Sequence, residues 1–173
     1  MGTVVIRSTG HRNKVEMYAN IPSKAEDGNK AINELANKKG ISFQYLIQRG
    51  HSFNLDEALE EFSTHAREAR ILHAGSCGGQ GLIPDIAPKF KKAPYLFATK
   101  GEGKMGINDP ILYEMNKRIL EGEDIDLPKL WSELEARFTK SGDKKLIKAF
   151  QQYILPYKNT ALLFTLAYQD AAR

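Results

Sequence analysis

Three short runs constrain the fold most: Phe43–Ile47, Ile71–Ala74 and Pro94–Thr99. Each is rich in aliphatic and aromatic residues and reads as a strand. Leu55–Ala69, between the first two, carries an amphipathic helical pattern with Asn54 placed as its N-cap. A Gly/Pro-rich stretch holding Pro84 and Pro88 separates the second from the third, so any helix there is short and broken. Strand, helix, strand, connection, strand is the order of a parallel sheet with covering helices, joined by a right-handed crossover. The expected fold class is therefore α/β, a mostly parallel sheet flanked by helices.

The flanks are simpler. Val4–Ile6 reads as a short strand, Ser8–Asn13 as a turn and Val15–Ala19 as a weaker returning strand. Ala25–Lys39 is a helix with Ala31, Ile32, Leu35 and Ala36 on one face and Gly40 as its stop. From Pro110 the pattern is helical, in segments near 110–121, 128–139, 143–154 and 159–171. Trp131, Leu134, Phe138, Phe150, Tyr153, Leu163, Phe164 and Leu166 mark the expected core faces. A chain of 173 residues fits one domain, 1–173, with a core over 1–109 and a helical part over 110–173. Such a domain stands alone or within a longer protein.

The formal net charge is +4, with lysines spread along the chain and few aromatics between them. That is a solvated basic surface, and no nucleic-acid partner is expected. No apolar run is long enough to span a bilayer, so no membrane partner is expected either. Met1–Arg7 lacks the layout of a signal peptide. With a single cysteine, the expected compartment is the reducing cytoplasm, although a piece of a secreted or larger protein would look the same. No Cys/His cluster has zinc-ligand spacing, and neither metal nor cofactor is expected.

That one cysteine, Cys77, sits in Gly75-Ser76-Cys77-Gly78-Gly79. Glycines around a nucleophile let backbone amides approach a substrate oxygen. The segment follows the strand 71–74, as Gly50-His51-Ser52 follows the strand 43–47. In a parallel sheet both points emerge at the same carboxyl edge, where open α/β sheets place their sites. Neighbouring strands lie about 5 Å apart, so an imidazole and a thiol there can converge. A thiol is mostly protonated at neutral pH, and a nearby imidazole takes its proton or holds the thiolate as an ion pair.

Chain order removes several rivals. The four histidines, His11, His51, His65 and His73, all precede Cys77. The hydrolase and amidotransferase elbows, which Gly75-x-Cys77-x-Gly79 also matches, place the histidine after the nucleophile. Cysteine phosphatases need an arginine where Ile83 stands, and thioredoxin-like chemistry uses a second cysteine. His73 lies within a strand and reads as a core or sheet-face residue, His65 as an exposed residue of the crossover helix, and His11 as part of a surface turn.

A strand ending in Gly-His, a helix, then a strand ending in Cys-x-Gly resembles the caspase-like cysteine peptidases, the clan of caspases, gingipains, clostripain and legumains. The resemblance covers residues 41–109. It implies a cysteine endopeptidase acting on peptide or protein substrates, with His51 as general base and acid and Cys77 as nucleophile. Gly78 and Gly79 match the small residues after the cysteine, and an amide near the histidine, from Gly50 or Ser52, would complete the oxyanion hole. The clan usually has glycine directly after the histidine, where this chain has Ser52. By the same resemblance the loop Thr99–Gly106 helps shape the specificity pocket. Glu102 there suits a basic side chain, Lys100 or Lys104 an acidic one, and Asp85 is a further acidic candidate. Two other readings stand beside this one. The chain would be a non-catalytic binding or signalling module of the same fold, or an α/β protein whose glycine-rich turn at 75–81 binds an anion through backbone amides.

Overall fold

The computed structural model of the chain describes residues 3–21, 25–50, 57, 58, 60, 68–92, 94–155, 164, 167, 168, 170 and 171. Three parallel strands form its centre: β3 (Tyr45–Gln48), β4 (Ile71–Ala74) and β5 (Tyr95–Ala98), in the order β3-β4-β5. Gln48 pairs with Ala74, and Ala74 with Ala98, so the three strands end level at one carboxyl edge. The parallel pairing is as expected from the strand–crossover–strand pattern. The expected crossover helix Leu55–Ala69 lies largely outside the described residues.

The N-terminal strands β1 (Thr3–Arg7) and β2 (Glu16–Asn20) pair antiparallel and form a sheet of their own. They pack against helix α1 (Ala25–Lys39), where Thr3 Oγ1 donates to the Gly28 carbonyl at 3.2 Å. Ile32 and Ala36 of α1 are buried, and Gly40 ends the helix in the left-handed conformation that favours glycine. Among the described residues the parallel sheet therefore has three strands.

Residues 79–89 form short, broken helical turns, as the two prolines require. Three longer helices follow: α2 (Met105–Glu121), α3 (Leu127–Ser141) and α4 (Lys144–Phe150). Helix α2 begins five residues before the expected start at Pro110, which lies inside it. The proline removes one amide near the first turn, and the buried Ile107 and Asn108 anchor that turn against the sheet edge. The boundary expected at 109/110 therefore falls within a helix. Asp126 and Asp143 cap α3 and α4 by accepting backbone amides at 2.9 and 2.8 Å.

One core joins the sheet to these helices. Phe97 of β5 packs with Trp131 of α3, whose ring stacks on Phe150 of α4 at 4.8 Å between centroids. Phe138 meets Phe150 at 4.9 Å. The expected helix 143–154 stops at Phe150, because Tyr153 bridges to Thr99 and the Ile154 amide donates to the Ala98 carbonyl at 2.9 Å. That edge pairing draws the chain out of the helix. Phe164, expected on a core face, is instead 76% exposed. Leu163 and Leu166 lie outside the described residues.

Candidate functional site

Cys77 stands three residues past Ala74 at the carboxyl edge of the central strand, and its side chain is exposed. The turn that carries it is tied down on every side. The Gly78 amide donates to Gly101 O at 2.8 Å, Gly79 to Ser76 O at 3.2 Å, Gln80 to Thr99 O at 3.2 Å and Gly81 to Gly78 O at 2.8 Å. These amides are spent within the protein. Gly78 and Gly79, expected to face a substrate oxygen, therefore do not offer their N–H groups in this arrangement. The Cys77 amide makes no backbone hydrogen bond among the described residues.

The glycines serve packing. A Cβ on Gly79 would lie 2.7 Å from Ala74 O, and one on Gly75 would lie 2.5 Å from Asn108 Oδ1. Gly103 of the neighbouring loop comes closer still, where a Cβ would lie 2.0 Å from Gly75 O. Only Gly78 needs its freedom for backbone conformation, with φ at +63°.

Behind Cys77 lies a buried polar cluster. Asn108 of α2 donates from Nδ2 to Gly75 O at 2.9 Å, which fixes its amide so that Oδ1 is the acceptor. Tyr153 Oη donates to that Oδ1 at 2.9 Å and accepts the Lys104 amide at 3.2 Å. His73 Nε2 lies 2.9 Å from the same Oδ1, so the proton must be on Nε2. His73 is fully buried in β4, as its position within a strand led us to expect, and stacks on Phe97. Burial lowers its pKa to about 4, against a smaller opposite effect of the Asn108 bond. At neutral pH it is an uncharged donor, unsuited to serve as the base for Cys77. Among the described residues the Ser76 hydroxyl is buried with no partner.

The other strand end is held too. Arg49, directly after β3, forms an ion pair with Asp109 of α2. Gly50 follows and is exposed. His51 and Ser52 lie outside the described residues, as does His65. His11 sits exposed in the bend between β1 and β2, and that hairpin does not join the parallel sheet.

In the pocket loop Glu102 and Lys104 pair with each other. The bond to Lys104 holds the Glu102 carboxyl below its usual range. The bond to Glu102 and its charge in turn raise the Lys104 ammonium. Lys100 is exposed, its amide bound to Gln152 O at 2.9 Å, and Asp85 is exposed in the turn Ile83–Ile86. No cluster of three or more His, Cys, Asp or Glu side chains suited to a metal occurs among the described residues. None of the described helices is long and apolar enough to cross a membrane.

Asn108 and the Arg49–Asp109 pair were not singled out from sequence, and Tyr153 was expected only as a core residue. The available signal was Asn108 itself, a polar residue on the apolar face formed by Ile107, Ile111 and Met115. Comparison of the chain with family models, characterised proteins and solved structures finds no match.

Proposed function

We propose that the protein is a cysteine endopeptidase of caspase-like type, with Cys77 as nucleophile and His51 as its proton partner. The observation that carries this reading is the strand register. Gln48 pairs with Ala74, and in sequence His51 and Cys77 each stand three residues beyond their member of that pair. The exposure of Cys77 in a turn held by the bonded amides of Gly78 to Gly81 also supports it.

In this mechanism the His51 imidazole takes the Cys77 proton, and the thiolate attacks the carbonyl carbon of a peptide bond. The Cys77 amide and an amide of the Gly50–Ser52 segment stabilise the oxyanion. Collapse expels the amine, which takes the proton back from His51, and leaves a thioester. Water, deprotonated by His51, then hydrolyses the thioester and restores the thiol. Glu102 and Lys104 of the loop expected to shape the pocket pair with each other, so neither is a free charge to set specificity alone.

A pool of fluorogenic peptides with varied residues before the scissile bond tests this directly. Cys77→Ala and His51→Ala should each abolish turnover while the thermal unfolding midpoint stays put. Full turnover in either variant would sink the assignment.

A further inference from the structure

One dipeptide touches both strand ends. Asn108 binds the Gly75 carbonyl, two residues before Cys77, and Asp109 pairs with Arg49, two residues before His51. Both anchors belong to the first two turns of α2. The two bonds differ in kind. Asn108 is buried, its amide fully bonded to Gly75 O, His73 and Tyr153, and this bond cannot slacken without leaving a polar group unpaired in the core. Asp109 is half-exposed and Arg49 nearly as much, so their pairing contributes little to stability.

We propose that Asn108 and Asp109 are positioning residues that set the separation of the two strand ends, and with it the alignment of imidazole and thiol. The inference rests on the His51–Cys77 reading. Helix α2 then acts as a gauge across two strands that are also joined by their backbone pairing. Through Tyr153 and the Lys104 amide the same dipeptide is tied to the pocket loop, so binding there and alignment of the dyad share one support.

The test follows the rate of Cys77 alkylation by iodoacetamide as a function of pH. It compares wild type, His51→Ala, Asp109→Asn, Asn108→Ser and the exchanged pair Arg49→Asp/Asp109→Arg. Asp109→Asn is expected to lower the neutral-pH rate by about tenfold or more, the scale on which small misplacement of reacting groups acts. Its pH profile should shift toward that of His51→Ala, with the unfolding midpoint unchanged, and the exchanged pair should recover most of the rate. Asn108→Ser should do the same at a lower unfolding midpoint. If His51→Ala changes the profile but Asp109→Asn does not, the positioning role is wrong and the dyad stands. If His51→Ala leaves the profile untouched, both the dyad and the positioning role fall.

Discussion

Gly103 has no side chain because the Gly75 carbonyl occupies the place where one would be. Adding a methyl group at that point must push the pocket loop away from the cysteine turn. Gly103→Ala should therefore cost about 1–3 kcal/mol, the usual range for overpacking, read by urea unfolding. A cost near zero would mean that the loop yields freely. His73 makes a second prediction. Its pKa is near 4 in the fold and near 6.5 in the unfolded chain, so as the pH falls the unfolded chain takes up the proton first. Its contribution is fully present above pH 6.5 and is lost between 6.5 and 4, by about 3 kcal/mol. Unfolding at pH 7 and pH 4.5 should show a clearly smaller loss in His73→Leu than in wild type. Equal losses would show that His73 charges in the fold at no cost. The sequence marked His73 as buried, since its strand neighbours are apolar. It did not mark the partner, because Asn108 lies 35 residues away and meets it only after the helix folds back.

At the scale of elements, local signals served where the cause is local. Helix α1 runs from Ala25 to Lys39 as its apolar spacing and terminal Gly40 dictate, and β4 covers the expected residues. Pro110 carries the mark of a first helical residue, yet α2 starts at Met105. The actual first turn is set by burial of Ile107 and Asn108, a tertiary cause with no local trace. The pairing of β1 with β2 alone, away from the parallel sheet, is likewise a choice among strands that their own residues do not encode. The helices after residue 105 complete the core of the sheet, with Trp131 between Phe97 and Phe150. Trp131→Ala should therefore cost about 3–5 kcal/mol and should melt sheet and helices in one transition. Separate transitions by far-ultraviolet circular dichroism and tryptophan-free tyrosine fluorescence would contradict that shared core.

For the whole molecule, the parallel edge that gathers the candidate residues could be read from the order of strands, helix and turns. What supports that edge could not. The glycine-rich turn invited a reading as an open amide cradle, yet the amides of Gly78 to Gly81 are bonded within the protein, and Gly75 and Gly79 make room for Asn108 and for the Ala74 carbonyl. The site is a bonded platform that projects one thiol. The measurement that bears most directly on the central claim is labelling of that thiol by a peptide acyloxymethyl ketone, followed by intact-mass analysis. A pool of such peptides should form a single adduct on Cys77 in wild type at neutral pH, with none in Cys77→Ala and a rate lowered by about a hundredfold or more in His51→Ala. Labelling of His51→Ala at the wild-type rate would show that no dyad operates at this edge.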